Sequence, residues 1–308
     1  MNRTLFLLYK LMTMVGLFWS MSAFPGEIAL TFDDVPLPGG NVMSGKEKTQ
    51  RIIQQLKSRG VNEALFYVTG KNVDEESSDR LSAYVNAGFY LANHSYAHKS
   101  ASKISVDDIL VDAYRTHLIL KRYGKTLPYY RFPYLHNGND NDSRRAILNG
   151  LKELGYSNGY VTVDNYDWYI NKLYLQYKSS GRKINSENMK ELYIDLLWEN
   201  IQFYDELAKD ILGRSPKHVL LLHENEIAAL YLGDLIDRVR FKGWKVISPV
   251  EAYQDPLADV NHDLPFSKQG RVASVAHYNG VDEKLLRHKN ENVDYIKRMF
   301  ENYNVIED

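Results

Sequence analysis

Beyond its first two dozen residues the 308-residue chain switches repeatedly between short apolar runs and amphipathic stretches of helical period. The runs IALTF (28–32), ALFYV (64–68), GFYLA (88–92), PYYRF (128–132), GYVTV (159–163), HVLLL (218–222) and WKVI (244–247) have the length and β-branched or aromatic content of strands. Between them lie helical patterns. Residues 46–59 carry Ile52, Ile53 and Leu56 and stop at Gly60, residues 105–123 open on Ser105 with Asp107 and Asp108, and residues 143–154 open on Ser143 and stop at Gly155. Longer ones run over 186–212 and 226–241. Strand–helix alternation of this kind calls for a parallel sheet, and seven units suit a barrel or an open doubly wound sheet, of which the barrel is the expectation.

Polar clusters follow the strands. Asp33 and Asp34 follow the first, NHSYAH the third, RFPY spans the end of the fourth, DNYDW follows the fifth and HEN the sixth. In parallel α/β folds the loops at the strands' carboxyl ends converge on one face, so the five clusters are predicted to meet at one rim. An Asp-Asp pair before Val-Pro is ordinary turn chemistry when it stands alone. Here it faces HSYAH, whose His94 and His98 lie four apart and on a helical turn would point to one side and share a metal. Asp34 is the available third donor, and an Asp-His-His set suits Zn²⁺ while tolerating other divalent first-row ions such as Co²⁺.

The remaining features bound the setting. The net charge of −1 argues against a nucleic-acid partner held by bulk electrostatics. With no cysteine, neither a disulfide framework nor a lipid anchor on Cys is possible. Residues 1–23 have a basic start at Arg3, an apolar stretch over 11–21 and small residues Ser20, Ser22 and Ala23, the order of a secretory signal peptide. An uncleaved anchor is the alternative, but the run is short for a bilayer span of about 20 residues. The expectation is an exported protein, periplasmic or secreted, with no stable membrane span after cleavage. A catalytic domain over 24–255 and a C-terminal extension over 256–308 packing on the barrel are expected, the latter carrying a surface helix. The tyrosine-rich stretch after Trp168 is long for a barrel connection and is expected to roof the cleft.

TFDD, HSYAH, RFPY, DNYDW and LLH, in this order and spacing, resemble the five motifs of the polysaccharide deacetylases, the NodB-homology carbohydrate esterases of family four. The resemblance spans roughly Glu27 to Tyr253. It implies a distorted (β/α)₇ barrel that uses a divalent metal to remove N-acetyl groups from a glycan containing N-acetylglucosamine, such as chitin or peptidoglycan. An O-acetyl esterase on sugars such as xylan and a carbohydrate-binding protein that has lost catalysis are the alternatives. Carried over by position, the resemblance implies that Asp34, His94 and His98 hold the metal and that Asp33 is the general base, oriented by Arg131. It likewise implies that the backbone N–H of Tyr134 faces the oxyanion, and that His223, held by Asp167, protonates the leaving amine. Trp168 and Leu222 or Leu221 would line a pocket for the acetyl methyl. Val35 and Glu224 depart from the commoner residues at their places without removing a catalytic atom.

Overall fold

Seven parallel strands curl into a half-open barrel in a computed structural model that describes residues 25–260, 266 and 268–307. The signal-peptide reading of residues 1–23 lies outside the described residues. In chain order the elements are β1 (Glu27–Val35), α1 (Gly45–Ser58), β2 (Leu65–Val68), α2 (Glu75–Asn86), β3 (Tyr90–Asn93), α3 (Val106–Leu120), β4 (Thr126–Tyr130), α4 (Asn141–Glu153) and β5 (Ser157–Asn158). There follow α5 (Asp167–Ser179), α6 (Ser186–Leu212), β6 (Lys217–His223), α7 (Glu226–Phe241), β7 (Lys245–Val246), α8 (Pro249–Ala252), α9 (Arg271–Tyr278) and α10 (Val293–Asn302). The strands run in the order β5-β4-β3-β2-β1-β6, and β7 pairs with the start of β1.

The period of two in β1 decides what faces where. Ile28, Leu30 and Phe32 point outward and join Phe66, Val68, Leu220 and Leu222 in the core under the helices, each fully buried side chain stabilising by about 1.5–3 kcal/mol. Ala29 points inward with Leu65, Tyr67, Ala92 and Val219. Small residues on that face leave room for Tyr67, Tyr253 and the guanidinium of Arg131, which lies 3.9 Å from the Tyr67 ring centre. The register pairs Ala29 with Val219, Thr31 with Leu221 and Asp33 with His223, so these inward positions climb in layers toward the carboxyl rim.

Several expectations are corrected. GYVTV is not a strand: β5 ends at Asn158, and the chain then leaves the sheet and meets β6 through an isolated bridge between Val163 and Leu220. Thr162 and Val163 donate N–H bonds to the Val219 carbonyl and Leu221 donates to that of Val163, so main-chain bonds from an irregular segment close the seam. Gly159 makes room for the Tyr67 side chain, since a Cβ there would sit 2.3 Å from the Tyr67 hydroxyl. Helix α4 starts two residues before Ser143, capped by Asp140, whose carboxylate accepts the Ser143 N–H. The tyrosine-rich stretch forms α5, and Tyr169, Ile170, Leu173 and Tyr174 bury inside the main core. Over residues 282–307 only α10 is α-helical, preceded by two 3₁₀ turns, and Ile296 and Phe300 seat it on the main core.

Candidate active site

Asp33, the last inward position of β1, is buried, and its Oδ1 accepts a 2.6 Å bond from Nη1 of Arg131. Arg131 follows β4 and is itself fully buried. Its Nε donates to the Gly159 carbonyl, its Nη1 to Thr31 Oγ1 and its Nη2 to the Tyr253 hydroxyl, so the guanidinium cannot swing away from Asp33. Against the opposing effect of burial, the Asp33 carboxylate, with the Tyr253 and Tyr67 hydroxyls, holds its pKa above even the usual arginine range. One oxygen of Asp33 is thereby occupied, and the other, Oδ2, stands 3.6 Å from Nε2 of His94.

Asp34 continues β1 with φ +65° and so turns away from its neighbour. Its Oδ1 lies 3.1 Å from Nε2 of His98 and 3.7 Å from Nε2 of His94. Among the described residues these three form the group that could hold a metal ion, with ligand atoms all within 4.8 Å of one another. The donors fit a divalent cation. His94 gives its Nδ1–H to the Arg131 carbonyl at 2.9 Å, which leaves the Nε2 lone pair facing the cluster. Burial, helped by the charge of His94, lowers His98 to about 4, so its ring is neutral near pH 7. Against the effect of burial, the surrounding histidines lower Asp34, so its carboxylate is ionised. Neutral imidazoles and an ionised carboxylate are the forms that ligate.

The two histidines do not share a helical turn, as the i, i+4 spacing suggested. Residues 94–98 form an irregular loop with Ser95 at φ +67° and His98 at φ +53°. The loop is held by groups that sequence inspection passed over: Asn93 Oδ1 accepts Ser95 N–H, Ser95 Oγ accepts His98 N–H, and the buried Asp112 of α3 accepts the N–H groups of Tyr96 and Ala97. Asp34, Ser95, His98, Tyr134 and Leu135 are five of the seven described non-glycine residues with positive φ, so unfavourable backbone is concentrated here.

His223 ends β6. Its Nδ1–H donates to Asp167 Oδ1 at 2.6 Å, and the other oxygen of Asp167 accepts the His223 backbone N–H and the Asn225 amide. Burial opposes charging the ring, but Asp167, with lesser help from Asp34 and Asp33, raises its pKa to about 10. Glu224, where the chain departs from the commoner residue, is fully buried. It accepts bonds from Leu37 N–H, Thr49, Arg80 and Tyr84, tying the segment after Asp34 to the His223 strand. Only its neighbours in space reveal that role.

Asp33, Asp34, His94, His98 and His223 line one open cleft of about 1580 Å³. Tyr134, 61% exposed, packs edge-on against His98, and Trp168, 41% exposed, stands on the first turn of α5. Leu221 lines the cleft, whereas Leu222 has the opposite parity and is 0% exposed in the core under the helices. The parity shared with Asp33 and His223 was the available signal for choosing between the two leucines. Lys103, Asp164, Tyr166, Lys268 and Arg287 also line the cleft and were not anticipated.

Over part of its length the chain is similar to the polysaccharide deacetylases. Residues 23–159 match the family model described as polysaccharide deacetylase. The chain is 32% identical over 146 residues to a peptidoglycan-N-acetylglucosamine deacetylase of Bacillus cereus, covering 46% of each protein. It is 29% identical over 113 residues to a bifunctional xylanase/deacetylase of Pseudobutyrivibrio xylanivorans, covering 36% of this chain and 17% of that protein. The chain thus spans less than half the length of the curated relatives it matches. A crystal structure of a CE4 family pseudoenzyme from Bacillus anthracis superposes with a TM-score of 0.52 at 19% identity, covering 75% of this chain and 66% of that one, which establishes the shared fold.

Proposed function

We propose that this protein is a metal-dependent deacetylase that hydrolyses the N-acetyl group of a glycan containing N-acetylglucosamine, releasing acetate and leaving a free amine. One observation carries the reading: the Arg131-bound Asp33 and the Asp167-bound His223 are register partners at the rim of one cleft, beside Asp34, His94 and His98. A divalent cation, Zn²⁺ or Co²⁺, held by those three residues would supply Lewis acidity toward the amide carbonyl and make water a better nucleophile near neutral pH. Asp33, anchored through Oδ1, takes the proton of the attacking water at Oδ2. As the C–N bond breaks, His223 gives its Nε2 proton to the departing amine. The Tyr134 N–H faces the developing oxyanion, and Trp168 and Leu221 enclose the acetyl methyl. Export by a cleaved signal over residues 1–23, with 24–255 as the catalytic unit, belongs to the same reading.

The xylanase/deacetylase relative supports a second reading, O-acetyl ester hydrolysis by the same residues. Acetate release measured in parallel on chitooligosaccharides, peptidoglycan and acetylxylan tests both. A chelator abolishes turnover and Zn²⁺ or Co²⁺ restores it. Full activity in a verified metal-free preparation overturns the assignment of Asp34, His94 and His98.

A further inference from the structure

Two residues of the cleft, Lys268 and Arg287, come from chain beyond Tyr253, outside both the matched stretch and the five motifs. Lys103 reaches the same cleft from the loop after β3. Lys268 is held there against its own backbone preference. Its φ is +70°, a left-handed conformation that is unfavourable for a lysine. Its N–H donates to the Leu135 carbonyl at 3.1 Å, and its carbonyl accepts Nη2 of Arg287 at 2.8 Å. The segment carrying Lys268 is thus pinned to the loop after RFPY on one side and to Arg287 on the other. Arg287 also donates to the Tyr166 hydroxyl at 3.1 Å, and its nearest carboxylate is Glu291 at 3.7 Å.

Arg287 is answered by Glu291 and by the charge of Asp164, but the cleft's acids do not answer the two lysines. Asp33 is taken by Arg131, Asp34 faces His94 and His98, and Asp164 is buried with Oδ1 on the Asn165 N–H. Among the described residues the ammonium groups of Lys103 and Lys268 have no carboxylate partner. A cleft mouth that carries unanswered positive charge is complementary to a ligand that presents its acetyl group to the floor and negative charge to the mouth.

We propose that Lys103 and Lys268, the latter held in place by Arg287, make this cleft selective for glycans that carry carboxylates on the sugars beside the N-acetyl group to be removed. The inference rests on the deacetylase reading and names its substrate class: an acidic glycan, with neutral chitin-like polymers as poorer substrates. The carboxylate can be the lactyl group of a muramic acid or that of a uronic acid, and the chemistry recognised is the same.

The test compares kcat/KM for acetate release on two matched pairs. One is an N-acetylglucosamine–N-acetylmuramic acid oligosaccharide and its methyl ester; the other is an N-acetylglucosamine–glucuronic acid oligosaccharide and its methyl ester. At low salt the free acid is expected to exceed its ester by about tenfold in at least one pair, and the ratio should fall toward one at about 1 M salt, where the screening length is about 3 Å. The pair that shows the preference identifies the acid's source. Lys103→Gln should lower the ratio, and Lys103→Glu combined with Lys268→Glu should invert it, a result that loss of fold cannot produce. Equal rates on acid and ester, or a ratio unchanged in the charge-reversed variant, overturn the inference while leaving the deacetylase reading intact. No acetate from any substrate, with the metal-loaded protein folded, overturns both.

Discussion

Asp33 and Asp34 are neighbours in sequence with different environments, and the difference is testable. Asp33 has one oxygen locked on Arg131, while Asp34, turned by a positive φ, faces two imidazoles. Asp33→Asn is expected to retain Zn²⁺ binding in calorimetry and to lose about 10²- to 10⁴-fold in kcat, the usual range for a general base. Asp34→Asn should lose Zn²⁺ affinity itself. Similar behaviour of the two variants would dissolve the division of labour. The pH dependence belongs to His223, raised to about 10 chiefly by Asp167 against the opposing effect of burial. An acid must be protonated to act, so activity falls as pH rises through that value. Asp167→Asn removes the charge that favours the imidazolium, leaving burial to favour the neutral ring. The alkaline limb of kcat/KM should therefore move to lower pH at matched metal occupancy, and a limb that stays in place would show that the acid lies elsewhere.

At the scale of elements, the rim depends on ties between segments far apart in sequence. Glu224 joins β6 to Leu37 after β1, to Thr49 of α1 and to Arg80 and Tyr84 of α2, all in the interior. Glu224→Ala leaves a buried guanidinium without its carboxylate, a loss expected to cost about 3–5 kcal/mol and to be read as a lowered urea midpoint. A midpoint unchanged within error would mean that Arg80 finds another partner or reaches water. The loop carrying His94 and His98 depends in the same way on Asp112. It shows why a four-residue histidine spacing, read as helical, was realised by an irregular turn: the α3 carboxylate offers the turn's N–H groups acceptors that a helix would have supplied from within.

Over the whole molecule, the C-terminal segment is part of the same packing unit as the sheet. Ile296 and Phe300 of α10 belong to the core cluster that includes Ile28, Leu30 and Leu220, and Arg287 reaches the cleft from the chain just before that helix. Phe300→Ala is therefore expected to destabilise the entire protein by about 3–5 kcal/mol in one cooperative transition. Separate melting of the C-terminal segment, with the barrel's midpoint unchanged, would show instead that it is an independent appendage.

The sequence by itself determined the alternation of strands and helices, the ends of α1, α6 and α7 to within a residue or so, and four of the five polar clusters at strand ends, because these follow from local hydrophobic period, capping chemistry and the one-sided geometry of parallel sheets. It also carried the parity that separates Leu221 from Leu222. Tertiary structure alone decided that GYVTV leaves the sheet, where Thr162 and Val163 give their N–H groups to the Val219 carbonyl of a strand distant along the chain. It alone decided the seating of the tyrosine-rich α5 in the core, the role of Glu224 and Asp112, and the arrival of Lys268 and Arg287 in the cleft. Each of these rests on a contact between groups distant along the chain, where no local pattern exists to be read.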